Sequence, residues 1–329
     1  MHAQHQFQCS QEILPTIWDI LDEKLDEGSR CLKQWVEQQP LPLLCFVDSH
    51  KITVQTLENQ TLNVINISAP NLHFIFCPDI ISFLIYNGNT LQIWSLYDKK
   101  AIWTCSNVPP ITYMFVRNMW AALITYDNAV YWLNLGTYTL VEADIPFRNC
   151  VAIAIHPIKP ICVCNDNEYT LYVCQMQTGK SISSQKSTHS NQITRLQWNN
   201  EGTYLFSSSL DHRILIWNFN PTLNKFSLTQ ELFTPYYWTR SLVVLPKQNF
   251  LAINEDGTIH HYHYESNERK WEFNQAFGNC DFCIPKIKII PPNNLLILYR
   301  NEWIYCSNDL KYIFQQGKTD KSIHSACFL

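Results

Sequence analysis

Residues 193–232, ITRLQWNNEGTYLFSSSLDHRILIWNFNPTLNKFSLTQEL, contain four segments in which apolar and polar side chains alternate. The segments are Ile193–Trp198, Tyr204–Ser209, Arg213–Asn218 and Phe226–Leu232. Alternation with a period of two is typical of a β-strand that has one buried face. Asn, Gly, Pro and Asp lie between the segments, where they favour turns. This stretch therefore predicts a four-stranded antiparallel sheet.

The same pattern recurs along the chain. Apolar residues at matching third-strand positions, 39 to 45 residues apart, align seven copies: Ile52, Leu91, Val130, Leu171, Ile214, Ile259 and Ile304. Repeats of about 42 residues that each hold four strands are the signature of β-propeller blades. The sequence therefore predicts an all-β, seven-bladed β-propeller, with further first strands that begin near Leu72, Ile111, Val151, Leu242 and Ile284.

The first repeat lacks a first strand of its own. Leu41–Val47 has the pattern of its second strand, and a helical pattern precedes it. Ser322–Leu329 contains the spacing of Ile193–Trp198, so we expect this C-terminal strand to complete the blade at Leu41–Ser68. Closure by strands from both ends removes exposed strand edges. Residues 41–329 are then one propeller domain.

Residues 189–218 resemble a WD repeat: a loop His, a second-strand Ser, a turn Asp and a third-strand Trp stand in the family's order. In that family these side chains form a structural hydrogen-bond network, which the resemblance places on His189, Ser207 or Ser209, Asp211 and Trp217. Trp94 matches the family Trp in the second repeat. The other repeats share only the strand pattern, so packing alone is expected to hold most blades.

Residues 1–40 form a separate N-terminal helical segment in this interpretation. Ile13, Ile17, Leu21 and Leu25 share one helical face, and a second short apolar face precedes Pro40. This helical hairpin either packs against the propeller as a cap or docks a partner. Leu14-Pro15 and Leu32-Lys-Gln-Trp35 also resemble the two ends of an F-box, the motif that recruits ubiquitin-ligase scaffolds, although the segment is shorter.

Composition narrows the class of partner and the compartment. The net charge of −4 and a pI near 6.2 argue against nucleic acid, which requires a basic surface. No apolar run reaches the length of a membrane span, and the polar first ten residues lead us to expect no signal peptide. Thirteen cysteines, many within apolar strands, fit a reducing compartment, so we expect a cytoplasmic or nuclear location.

The sequence contains none of three common catalytic motifs: the nucleophile elbow, the phosphate-binding loop and the zinc-protease motif. Cys280-Asp-Phe-Cys283 is the only CxxC; its potential co-ligands are Cys306 and the histidines His260, His261 and His263. Because a structural zinc site needs paired ligands from two segments, we expect free thiols and no metal. We also expect no cofactor and no catalytic residue.

The richest candidate for partner binding is the connection Thr234–Arg240 between the fifth and sixth repeats. It holds Tyr236, Tyr237, Trp238 and Arg240, the residue types that dominate binding hot spots; His212, Arg300 and Glu302 from neighbouring turns would form a polar rim. The same aromatics could instead pack between blades.

The sequence therefore predicts a non-catalytic scaffold or adaptor that binds one or more proteins within a larger complex. Two alternatives stay open at this point. One is a substrate-recognition subunit of a ubiquitin ligase, recruited through the F-box-like segment. The other is a propeller enzyme whose site lies in the central channel.

Overall fold

A computed structural model of the chain describes residues 43–48, 51–56, 61–66, 73–80, 82–95, 98, 100–146, 150, 152–234, 237–277, 286–290, 294–299, 302–307, 313–318 and 325–327. Within these ranges the protein is an all-β, seven-bladed β-propeller of four-stranded antiparallel sheets, as the repeat spacing predicts. Residues 1–40 lie outside the described ranges, so the helical hairpin and the division at residue 40 stay predictions.

The strands divide between two compact units, and their labels follow chain order. One unit holds blade 1, with β1 (Leu43–Asp48), β2 (Lys51–Thr56), β3 (Thr61–Asn66) and β28 (Ser325–Cys327), and blade 7, with β24 (Lys286–Ile290), β25 (Asn294–Tyr299), β26 (Glu302–Cys306) and β27 (Ile313–Lys318).

The second unit holds blades 2 to 6. Blade 2 holds β4 (His73–Cys77), β5 (Ser82–Tyr86), β6 (Thr90–Ser95) and β7 (Lys100–Ser106), and blade 3 holds β8 (Ile111–Arg117), β9 (Trp120–Thr125), β10 (Val130–Asn134) and β11 (Thr139–Glu142). Blade 4 holds β12 (Ile153–Ile155), β13 (Ile161–Asn165), β14 (Thr170–Gln175) and β15 (Ser181–Lys186), and blade 5 holds β16 (Ile193–Trp198), β17 (Tyr204–Ser209), β18 (Arg213–Asn220) and β19 (Lys225–Phe233). Blade 6 holds β20 (Thr239–Val244), β21 (Phe250–Asn254), β22 (Ile259–Glu265) and β23 (Lys270–Phe277). Short 3-10 helices lie at Pro78–Ile80 and Pro246–Gln248.

Burial along the strands follows from each strand's place in its blade. Every residue of the second strands β5, β9, β13 and β21 is buried, as expected for inner strands that are covered on both faces. In the outer strands β7 and β15, partly buried residues alternate with exposed ones. The seven residues that align the repeats all lie in third strands, and six of them are buried.

The hydrophobic cores lie between successive blades. In the second unit, side chains of blades 4 and 5, including Leu171, Trp198 and Trp217, form one cluster. Comparable clusters join blades 2 and 3, blades 3 and 4, and blades 5 and 6. In the other unit, Leu44 of blade 1 packs with Trp303 of blade 7. A blade is therefore stabilised by its neighbours.

Strand β28 completes blade 1, as the sequence predicts. It pairs antiparallel with β1, with Leu43 opposite Cys327, Leu44 opposite Ala326 and Cys45 opposite Ser325. The observed strands, Ser325–Cys327 and Leu43–Asp48, are displaced from the predicted Ser322–Leu329 and Leu41–Val47 by a few residues at their ends. The blade is thus assembled from the first and the last strands of the described chain.

A buried histidine fixes the turn between the first two strands of blade 5. His156 Nε2 donates to the carbonyl of Gly202 (3.1 Å), and its Nδ1 accepts from the backbone N–H groups of Ile158 (3.1 Å) and Lys159 (3.0 Å). This pattern requires the neutral ring, and burial lowers the pKa of His156 to about 4. Gly202 has a φ of 69°, and a Cβ there would overlap the His156 ring.

Deleting β28 is expected to expose the unpaired edge of β1. A chain that ends at Thr319 should therefore aggregate or show a large fall in Tm. Size-exclusion chromatography and thermal unfolding measure both effects, and adding a synthetic peptide of residues 320–329 should restore part of the lost Tm. A truncated chain that stays monomeric with an unchanged Tm would contradict the role of β28.

Gly202→Ala is expected to lower stability by roughly 2–4 kcal/mol, because it combines left-handed backbone strain with overlap on His156. Gly88→Ala is the matched control: Gly88 also has positive φ, 92°, but nothing lies within 4 Å of its Cβ position. Denaturant unfolding of both variants should place Gly202→Ala well below Gly88→Ala. Equal losses would show that the His156 contact contributes nothing.

Candidate functional site

The connection between blades 5 and 6 is fixed at both ends. Thr234 donates from its backbone N–H (2.8 Å) and its Oγ1 (3.0 Å) to the carbonyl of His212, in the turn between β17 and β18. At the other end, the backbone N–H of Glu255, in the turn between β21 and β22, donates to the carbonyl of Trp238 (3.1 Å). Each end is thus held by the neighbouring turn of its own blade.

Aromatic and cationic side chains lie in the described part of the connection, residues 237–240. Tyr237 is 42% exposed, Trp238 is half-buried, and the exposed Arg240 places its Cζ 5.8 Å from the centroid of the Trp238 ring. Phe233, the last residue of β19, is 65% exposed immediately before the connection. Tyr236 lies outside the described residues.

The predicted polar rim is distributed over both compact units. His212 borders the connection in blade 5, with a φ of 62° and a buried Nδ1 that has no hydrogen-bond partner. Glu302 lies in blade 7, in the other unit, and pairs with Lys318 Nζ (3.0 Å). Arg300 lies outside the described residues. The structure therefore brings together His212, Tyr237, Trp238 and Arg240.

β-Bulges redirect side chains where the first strands of blades 3, 5 and 6 begin. The bulged residues are Thr112, Thr194 and Arg240. Thr194 Oγ1 donates to the carbonyl of Thr239 (2.7 Å), which ties β16 to β20. We use the name entry edge for one end of blades 3 to 6. It comprises the starts of their first strands, where Thr112, Thr194 and Arg240 lie, and the turns next to those strand ends.

Sequence reasoning missed several residues at the entry edge. Tyr113, after the bulge of β8, is 63% exposed, and Tyr126, in the adjoining turn, is 79% exposed. Arg195, after the bulge of β16, places its Cζ 5.2 Å from the centroid of the Phe115 ring. Simple alternation in a strand fails at a bulge, so no local pattern indicates the direction of Arg195. The Tyr126 turn lies between two predicted strands and could have been found.

The side chains singled out by the resemblance form one directed hydrogen-bond chain in blade 5. Trp217 Nε1 donates to Ser207 Oγ, Ser207 and His189 Nε2 lie 2.9 Å apart, and His189 Nδ1 lies 2.9 Å from Asp211 Oδ2. Because an ionised carboxylate only accepts, His189 Nδ1 donates to Asp211, while Ser207 Oγ accepts from Trp217 and contacts His189 Nε2. Ser209 is outside this chain: its Oγ donates to the carbonyl of Asn191 (2.9 Å).

Asp211 is the end point of that chain, and its side chain is almost fully buried. Burial raises its pKa, but hydrogen bonds from His189 and from the backbone of Ser190, with those of Arg213, outweigh burial and hold the pKa below its ordinary value. Arg213 also pairs with Glu231 (3.2 Å). The carboxylate therefore has its own cation within the blade.

Blade 2 lacks this chain. Trp94 occupies the position of Trp217, but its Nε1 is buried without a hydrogen-bond partner. Strand register places Ile85 where blade 5 has Ser207, so no hydroxyl is available to the indole. Packing replaces the polar network in this blade.

Two of the residues considered for metal chemistry are buried in strands. His261 is buried and lies 3.2 Å from Asn274 Nδ2, and Cys306 is buried in blade 7. Cys280 and Cys283 lie outside the described residues. Among the residues that are described, no three His, Cys, Asp or Glu side chains are arranged to hold a metal ion.

Cysteines instead pack between blades 3 and 4. Cys162, Cys164 and Cys174 are completely buried, and the sulfur atoms of Cys164 and Cys174 lie 3.7 Å apart. Burial raises the pKa of Cys162, as expected for a thiol that packs like a small apolar residue.

In the part of the chain covered by the structure, no helix has the length and hydrophobicity that a membrane span requires.

Asp211→Asn is expected to cost about 1–3 kcal/mol at pH 7, because it weakens the hydrogen bonds from His189 and Arg213. The folded-state pKa of Asp211 is lowered, so its stabilisation is present above its unfolded pKa of about 4 and is lost as the pH falls. Thermal unfolding from pH 7 to pH 3 should show the difference between wild type and variant shrinking below about pH 4. A constant difference would contradict the ionised network.

Trp217→Ala is expected to cost roughly 3–5 kcal/mol, since the indole is buried between blades, and Trp217→Phe should cost less because it keeps most of the packing. Denaturant unfolding measures both variants. A Trp217→Ala protein that folds normally but loses partner binding would reverse the structural assignment.

Comparison with known proteins gives one sequence match and many structural ones. Residues 179–218 match the family model for the WD domain, G-beta repeat. No sequence among curated proteins matches the chain.

Solved structures share the fold at low sequence identity. A chain of KlAtg21 in complex with the coiled-coil of AgAtg16 has a TM-score of 0.70 and 11% identity over 85% of this chain and 96% of that chain. A chain of the Mitotic Checkpoint Complex has a TM-score of 0.63 and 9% identity over 85% and 84% of the two chains.

The β-propeller domain of Cps50 (Swd1) from Myceliophteria thermophila has a TM-score of 0.62 and 13% identity over 84% of this chain and 94% of that chain. At these identities, the structural similarity establishes a shared fold. The sequence similarity is confined to the repeat match at residues 179–218. The chain is thus a seven-bladed β-propeller in which residues 179–218 match the WD-repeat family model.

Proposed function

We propose that the chain is a non-catalytic scaffold or adaptor that holds a protein partner within a larger complex. The observation that carries this proposal is the connection between blades 5 and 6. Its backbone is held by hydrogen bonds at both ends, whereas Phe233, Tyr237 and Arg240 remain exposed. The proposed contact residues are Tyr236, Tyr237, Trp238 and Arg240, with His212 beside them.

This arrangement suits a binding surface for a physical reason. Ordering a flexible loop on binding costs free energy, and a backbone that is already fixed avoids much of that cost. Tyr and Trp then bury a large area with few rotatable bonds while still donating hydrogen bonds. Arg240 lies over the Trp238 ring, so the two side chains form one amphipathic surface.

The structural comparisons support an interaction role in general terms. Two of the similar propellers come from protein assemblies, one described as the Mitotic Checkpoint Complex and the other as KlAtg21 with the coiled-coil of AgAtg16. Both are precedents for a propeller of this fold within a protein complex. The partner of this chain has to be found by experiment, and affinity purification followed by mass spectrometry is the direct route.

Replacing Tyr237 and Trp238 together with Ala is expected to weaken the principal complex by more than about 2 kcal/mol, or roughly 30-fold in Kd, with the fold intact. The matched control replaces Ile182 and Phe273 with Ala, two side chains that are 42% and 54% exposed on outer strands. Isothermal titration calorimetry with the purified partner measures Kd, and circular dichroism checks folding.

Unchanged affinity in a folded Tyr237/Trp238 variant would place the interface elsewhere. A parallel experiment with residues 41–329 alone then tests the N-terminal segment. If partners that carry ubiquitin-ligase activity are lost only with residues 1–40, the substrate-recognition alternative replaces the scaffold proposal for that segment.

A further inference from the structure

Arg195 has a largely buried positive charge that the described part of the chain leaves uncompensated. Its Nε is buried without a hydrogen-bond partner, and its described contact is the stacking of its guanidinium on Phe115. No carboxylate among the described residues forms an ion pair with it. Burial also lowers the pKa of Arg195, which reflects the loss of hydration around the charged group.

Arg240 is a second cation without a carboxylate at the same edge. It stacks on Trp238, and Glu255, whose backbone contacts Trp238, forms no ion pair with it within the described ranges. Two other arginines of blades 3 and 5 have polar partners. Arg213 pairs with Asp211 (2.8 Å) and Glu231 (3.2 Å), and Arg117 donates to Asn200 Oδ1 (3.2 Å).

The two unpaired arginines belong to neighbouring strands. Arg195 follows the bulge at the start of β16, and Arg240 is the bulged residue at the start of β20. The hydrogen bond from Thr194 Oγ1 to the carbonyl of Thr239 joins these strand ends. Both side chains therefore originate from the same end of two adjacent first strands, Arg240 beside the aromatic connection and Arg195 directed to Phe115 of blade 3.

A guanidinium is planar and presents donors that match a carboxylate, and the pairing is strongest where water is partly excluded. Stacking on an aromatic ring leaves those donors free to bind in the plane of the group. An anionic ligand would supply the counter-charge that Arg195 lacks among the described residues. Nucleic acid is a poor source of that anion, since the chain carries a net charge of −4.

We propose that the entry edge binds an acidic segment of a partner protein, with Asp or Glu carboxylates paired to Arg195 and Arg240 and an adjacent apolar side chain on Tyr237 and Trp238. This assignment rests on the proposed scaffold function and names the chemistry of its partner. The chain has a net negative charge, so most of its surface repels an acidic segment. The two arginines attract such a segment, and the contrast confers specificity for the entry edge.

The test lets the protein select its own ligands. A random 12-residue peptide display library is panned against the intact protein, and the selected peptides are synthesised and titrated by fluorescence anisotropy. We expect enrichment of Asp and Glu, and a loss of affinity of at least about tenfold for Arg195→Met and for Arg240→Met. Arg269→Met is the matched control, an exposed arginine in the turn between β22 and β23, at the opposite end of blade 6.

Peptides with their acids replaced by Asn and Gln should bind as weakly to the wild type as the acidic peptides bind to the arginine variants. Selection of peptides without acidic enrichment would overturn the proposal. Acidic peptides whose affinity is unchanged by both arginine substitutions would overturn it as well.

The same variants separate this inference from the scaffold proposal. If the purified partner is lost on Tyr237/Trp238 substitution but retained by both arginine variants, the scaffold function stands and the acidic assignment is wrong. If the partner is retained by the aromatic variant too, the proposed surface itself is wrong. Circular dichroism melting of each variant confirms that the fold is intact before either conclusion is drawn.

Discussion

Packing between successive blades is the constraint on which the rest of this structure depends. A sheet of four strands has two faces, and in blades 2 to 6 neighbouring sheets share apolar clusters. The second strands consequently hold no exposed residue in β5, β9, β13 or β21. Because strand residues supply the packing between blades, the residues in the turns and connections at the strand ends are free to vary. Tyr126 and Tyr237 occupy such positions.

The repeat spacing predicted the architecture because third-strand positions are buried in blade after blade. Ile52, Leu91 and Ile214 are each fully buried, so their apolar character is required wherever the blade is placed. The predicted completion of blade 1 was also correct, since β28 has the pattern of a first strand and pairs with β1. Strand ends were less accurate, because pairing and bulges rather than composition decide where a strand stops.

The candidate surface was predictable only in part. Tyr237 and Trp238 stand out in the sequence because a connection seldom needs two large aromatics. Arg195 does not stand out, since it lies within a strand and is directed by a bulge that no local pattern signals. Glu302, predicted from its neighbouring turn to join the polar rim, pairs with Lys318 in blade 7, and its place in the rim stays a prediction. Arg300, Tyr236 and residues 1–40 lie outside the described part of the chain.

Blade 1 combines strands that are synthesised far apart in time, and this affects the order in which the blades can be completed. Strands β1 to β3 leave the ribosome early, but the strand that completes their sheet includes residue 327. Blades 2 to 6 draw their strands from contiguous segments, so each can pair as it emerges. Residues 43–48 must wait with one edge unpaired, and closing so long a loop is slow relative to local hairpins. We therefore expect this blade to complete its sheet after blades 2 to 6, with the edge of β1 unpaired in the interval.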